Sequence, residues 1–154
     1  MPLDSRRLLE ESVPIGGLLF VWYVLSAFVA AIASGSFLGT LSVGFRIVGS
    51  ATAAVFVVYR GVAIARETHP VRLSGDIREF LGESTVVAVP VLAWVVLATA
   101  VALAFGRFGV GGGALVAAFV QTAIATAGLY VVVRVVPILQ SGLGSGRTAA
   151  LGDD

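Results

Sequence analysis

The stretch SVPIGGLLFVWYVLSAFVAAIASGSFLGTLSVGF, residues 12–45, holds no charged side chain in 34 consecutive positions and decides the fold class. About 20 apolar residues carry a helix across the hydrocarbon core of a bilayer, so this one run is long enough for most of two crossings. Its interior break, Ser34-Gly35-Ser36, is small and polar and reads as the turn between them. Two further uncharged runs, residues 84–106 and 108–133, repeat the pattern. The spacing predicts four transmembrane helices at about residues 15–33, 37–59, 85–105 and 114–136. The fold class is therefore an all-α integral membrane protein, a single membrane domain over residues 1–154 with residues 141–154 as a flexible tail.

Composition agrees with that reading and narrows the function. Only 12% of the 154 residues are charged, against about 25% in a soluble domain, so the surface of a soluble fold could not be covered. The absence of cysteine excludes a disulfide scaffold and thiolate metal chemistry. A net charge of +1 with no basic block excludes a nucleic-acid binder. The basic residues are 10 arginines, and their distribution sets an orientation. With the N-terminus inside, Arg6, Arg7, Arg60, Arg66, Arg72, Arg78, Arg134 and Arg147 are cytoplasmic, Arg107 is outside and Arg46 lies within the second span. The positive-inside rule thus predicts that both termini and the long loop 60–83 face the cytoplasm of a multi-pass protein of the cell membrane.

Offsetting the chain by 72 residues sets Arg6 on Arg78, Glu11 on Glu83, Ser12 on Ser84 and Trp22 on Trp94. An offset of 74 then sets Phe45 on Phe119, the run 51–53 on 125–127, and Arg60 on Arg134. This predicts a tandem duplication with units 6–60 and 78–134, each a helical hairpin. Because each unit crosses twice, the copies share an orientation and form a parallel repeat. A twin-arginine signal at Ser5-Arg6-Arg7 fits less well, since Glu10 and Glu11 interrupt it and the same lead-in recurs at 78–84. The lead-ins are expected to lie in the headgroup plane, with Leu8 and Leu9, then Ile77, Phe80 and Leu81, as their apolar faces. In the second, Asp76 and Glu79 have the spacing of a helix cap. Pro14 and Pro137 are expected to bound the first and fourth helices, and Pro90 to bend the third.

The polar inventory within the spans is short. Ser42, Arg46, Gly49, Ser50 and Ala53 share one face of the second helix, and Ala114, Ala118, Gln121, Ala125 and Gly128 share one of the fourth. Two such small-residue stripes are expected to pack together, placing Arg46 against Gln121 as intramembrane polar partners. Trp22 and Trp94 lie too deep for an interfacial belt and read as packing anchors. No Asp or Glu falls in a span, His69 is a lone loop imidazole, and Gly111-Gly112-Gly113 lacks the context of a phosphate loop. No catalytic residue, metal ligand or cofactor site is therefore predicted.

Gly39-Thr40-Leu41, Val43 and Gly49-Ser50 resemble the second helix of small four-helix fluoride channels. The Asn of that motif is missing, with Gly44 and Phe45 nearby, and the third helix lacks the polar Phe/Thr/Ser motif, so function and sites do not carry over. The leading expectation is a non-enzymatic subunit or scaffold of a membrane assembly, partnered by lipids and by a second copy or another membrane protein. The alternative is a channel or transporter for a small anion or neutral solute, with Arg46 lining a cavity.

Overall fold

The computed structural model describes residues 4–32, 36–67, 77–107 and 112–149, apart from the side chains of 36–38, 77–84, 107, 138 and 140–149. Four helices account for nearly all of them: α1 (Ser5–Ile32), α2 (Ser36–Glu67), α3 (Ile77–Arg107) and α4 (Gly113–Ala149). All four contain stretches long and apolar enough to cross a membrane, with mean hydropathies from 1.8 to 2.6. At 1.5 Å per residue, the 28 residues of α1 extend about 42 Å, more than a hydrocarbon core of about 30 Å.

Cross-helix contacts fix the directions. Ser26 meets Ser42, Trp22 meets Phe45 and Arg60 meets Glu11, so α1 and α2 are antiparallel. Trp94 stacks on Phe119 and Phe105 lies against Gly112, which makes α3 and α4 antiparallel as well. Helix α4 packs on all three others, α1 does the same, and among the described residues α2 and α3 do not touch. The cross-section is thus a rhombus with α1 and α4 on its short diagonal. A closed two-fold exchanging the hairpins would pair α2 with α3 as closely as α1 with α4, so no such two-fold relates them here.

The interior is filled by side chains. Leu8, Ile15, Leu19 and Leu129 are fully buried, with Tyr23, Ala53, Val57, Ile64, Ala118 and Val133 completing the core. Buried hydroxyls are satisfied within the bundle: Thr122 donates to the Ala118 carbonyl at 2.8 Å and Thr126 to the Thr122 carbonyl at 2.7 Å. No buried side-chain polar atom among the described residues lacks a partner. The outside is the reverse of a soluble surface, with Val21, Phe28, Ile47, Val55, Val96, Leu103 and Ile124 all exposed. Such a continuous apolar exterior is stable in lipid and a liability in water.

The helix ends depart from the sequence expectation. Helix α1 runs unbroken through Pro14 back to Ser5, so the first lead-in is its opening turns and not a separate segment in the headgroup plane. Leu8 explains why: it is fully buried in the bundle core, while only Leu9 faces outward. Salt bridges from Arg7 to Glu67 (2.7 Å) and from Arg60 to Glu11 tie these turns to the end of α2. Helix α4 likewise continues through Pro137 to Ala149, and α3 passes through a buried Pro90. Asp76 and the other lead-in residues before Ile77 lie outside the described residues, as do His69 and Gly111.

Candidate functional site

Arg46 stands two residues from Val48, the midpoint of the apolar stretch 37–59, hence within about 3 Å of its centre along the helix axis. An arginine there costs roughly 2.5 to 3.5 kcal/mol to insert, so the disposition of its five N–H donors is the principal polar question in the bundle. Its Nε donates to Ser26 Oγ of α1 at 2.9 Å. Ser26 is completely buried and donates its own proton to the Ser42 carbonyl at 2.8 Å. With that proton committed, the 3.0 Å contact between the two hydroxyls must use the proton of Ser42. Ser26 therefore donates once and accepts twice, which exhausts its capacity and holds the guanidinium at the α1–α2 seam.

This corrects the expectation that Arg46 points at Gln121 of α4. Ser42 and Gly49 of that face are turned toward α1, because Trp22 needs room that only a glycine leaves: a Cβ on Gly49 would lie 2.6 Å from Trp22 Cβ. Packing a large residue over a small one sets the rotation of α2 about its axis, and Ser26 then meets Arg46. Ser26 was absent from the predicted site. The signal that could have found it is its position as one of few hydroxyls inside an uncharged run, on the helix antiparallel to Arg46.

Apart from this bond Arg46 is exposed. Its two Nη atoms have no protein partner among the described residues. A single interhelical hydrogen bond returns about 0.6 to 2 kcal/mol, less than the insertion cost, so the bond to Ser26 does not by itself compensate the charge. The end-on edge of the guanidinium carries two parallel N–H groups in a fixed fork, the geometry that binds an oxyanion bidentately.

Gln121 lies on the side of α4 that faces α2. Gly61 of α2 sits against Val132, and Val57 lies 3.8 Å from a Cβ built on Gly128, which gives the same register twice and makes α2 and α4 parallel. Two turns toward the N-terminus of α2 that register sets Ser50 across from Gln121. Both are partly exposed, and neither side chain has a hydrogen-bond partner among the described residues. Arg46 is one turn nearer the N-terminus of α2.

The two tryptophans occupy different surroundings. Trp94 donates its indole N–H to Ser12 Oγ at 2.9 Å, Ser12 in turn donating to the Leu9 carbonyl at 2.7 Å, and its ring lies over Gly16 of α1. Trp22 lies over Gly49 without an indole hydrogen bond among the described residues. Within each hairpin, however, the same aromatic pair recurs: Trp22 to Phe45 at 5.9 Å and Trp94 to Phe119 at 6.0 Å between ring centroids. Among the described residues no group of three or more His, Cys, Asp or Glu comes together. No family model, no curated protein and no solved structure matches this chain.

Proposed function

We propose that this chain is a non-enzymatic, multi-pass subunit or scaffold of an assembly in the cell membrane. The observation that carries the reading is the placement of Arg46: a charge near the centre of an apolar span, bonded through Nε to Ser26 of α1 and otherwise exposed, in a bundle whose core is filled. Protein extracted from native membranes in mild detergent is expected to migrate as a complex well above its 15.8 kDa chain mass, and the Arg46→Gln variant as a smaller species. Identical migration of both overturns the reading.

In this proposal both termini and the loop 60–83 are cytoplasmic, as the arginine distribution requires. The chain has no cysteine, so a single cysteine introduced into that loop is the only thiol present. It should react with an impermeant maleimide only after the cells are opened. Labelling in intact cells reverses the orientation.

Tandem duplication of units 6–60 and 78–134 belongs to the same reading. Its support is the recurrence of the Trp–Phe pair at equivalent positions and nearly equal distances, since chance matches in Ala- and Val-rich helices would not also match in space. Divergence after duplication then accounts for Gly49 beneath Trp22 where Ala123 occupies the equivalent place in the second copy. The second functional reading, a path for a small anion or neutral solute, is favoured by Ser50 and Gln121, which face one another across the α2–α4 seam with unused polar groups.

A further inference from the structure

We propose that copies of this chain associate head to tail in the membrane, with one exposed stripe of α2 seated on the exposed face of α3 in the next copy. The inference rests on the assembly reading above and on the duplication that belongs to it, and it names the partner and the surface. Within the chain the two hairpins meet through unlike faces: α4 of the second packs on α1 of the first, while their counterparts α2 and α3 do not touch among the described residues. One mating face of each hairpin therefore goes unused. On α4 the mating stripe is Thr122, Thr126, Leu129 and Val133, all buried. The offset of 74 maps it onto Val48, Thr52, Val55 and Tyr59 of α2, and all four are exposed, Val55 and Tyr59 by 70% and 71%.

The two stripes are alike in local structure as well as in position. Thr126 Oγ1 donates to the Thr122 carbonyl at 2.7 Å, and Thr52 Oγ1 donates to the Val48 carbonyl at 2.8 Å. A hydroxyl folded back onto its own helix enters a packed seam at little cost. The stripe is not an extension of the α2 contact with α4, since Val57 is nine residues from Val48 and so on the opposite side of the helix. The receiving face follows in the same way. Gly16 of α1 lies against α4, a Cβ there falling 3.2 Å from Thr122 Cγ2, and the offset of 72 maps it onto Ala88. Ala88 is exposed on α3 beside Leu92 and Val95, which are exposed too. A small residue again admits a close helix, and Val48, the counterpart of Thr122, is what it meets. Val135 stands where Gly61 admits Val132, so the close approach of α2 to α4 is not repeated between copies. Ile47, about 100° round α2 from Val48, therefore stays in lipid. A contact between unlike faces leaves the same two faces free at the ends of every dimer, so it propagates until a ring closes.

The test uses the full chain in its native membranes. The sequence has no cysteine, so two differently tagged forms are co-expressed, one carrying Val48→Cys and the other Ala88→Cys, and then oxidised. A disulfide joining the two tags is expected, a bond that requires β-carbons about 3.5 to 4.5 Å apart. Its yield should exceed that of Ile47→Cys paired with Ala88→Cys by about tenfold or more, because a site at the same depth but off the stripe lies beyond that reach. Neither Val48→Cys nor Ala88→Cys should link to itself. Equal yields at Val48 and Ile47, self-linking as strong as the mixed pair, or no link at all overturn the inference. Thr52→Trp adds volume to the stripe alone, so it should abolish the link and leave the melting temperature in detergent unchanged; a link that survives it overturns the inference. If Arg46→Gln shrinks the native complex yet the mixed pair does not link, the assembly reading stands and this inference alone fails. If that complex keeps its size and the pair does not link, both fail.

Discussion

Replacing Gly61 or Gly49 with alanine should destabilise the bundle more than any comparable single-methyl addition on its surface. A Cβ at Gly61 would lie 2.5 Å from Cγ1 and 2.8 Å from Cβ of Val132, and one at Gly49 would lie 2.6 Å from Cβ and 2.8 Å from Cγ of Trp22. Neither obstacle is the tip of a flexible side chain. Val132 is β-branched and stiff at χ1, and Trp22 Cβ moves only with its helix, so relief requires α2 to shift away from α4 or α1. Overpacking of this kind costs about 1 to 3 kcal/mol, and leucine at either position should reach the upper end or beyond. Gly17 and Gly44 provide the control, because a Cβ at either would meet nothing within 4 Å. Alanine there should be neutral or mildly stabilising, by up to about 1 kcal/mol, through its higher helix propensity. Reversible unfolding in mixed micelles checks the series, and equal stabilities for Gly61→Ala and Gly17→Ala would remove the close helix approach from the account.

The same glycines show which parts of the fold were legible in the sequence. Charge-free runs are a one-dimensional signal, and the existence and order of four long apolar helices follow from them, since each polar backbone group in a span must be paired within its own helix. The ends were harder. Pro14 and Pro137 read as boundaries because proline removes a backbone donor, but α1 and α4 pass through both, and burial of Leu8 is the tertiary gain that keeps the first turns of α1 in line. Rotation of each helix about its axis was harder still. The face Ser42, Arg46, Gly49 reads from sequence as the partner of the small-residue stripe of α4, because small residues permit close approach without naming the neighbour. What decided it was the volume of Trp22, a residue on another helix. Ser26 went unnoticed for the same reason: a serine in an apolar run acquires meaning only when its neighbour across the seam is known.

The second large effect concerns the medium around Arg46. A side chain beside it on the outer face of α2 should contact acyl chains when the protein stands alone, whereas one lining a conducting path should contact water. The two environments differ by orders of magnitude in the collision rates of apolar and polar relaxing agents, so the outcome is close to all-or-none. Ile47 is the position of choice, 64% exposed and adjacent to Arg46 in sequence, and Ala118, 1% exposed in α4, provides the interior reference. The natural chain carries no cysteine, so each site takes a single nitroxide label without further engineering.

The most direct measurement is therefore the accessibility of a nitroxide at Ile47→Cys to molecular oxygen and to a water-soluble nickel chelate, in protein reconstituted alone into lipid bilayers. An outer face of α2 immersed in hydrocarbon at the depth of Arg46 predicts high oxygen and low nickel accessibility at Ile47, with low values for both at Ala118. High nickel accessibility at Ile47, at the depth of Arg46, would place that face in water and contradict the account.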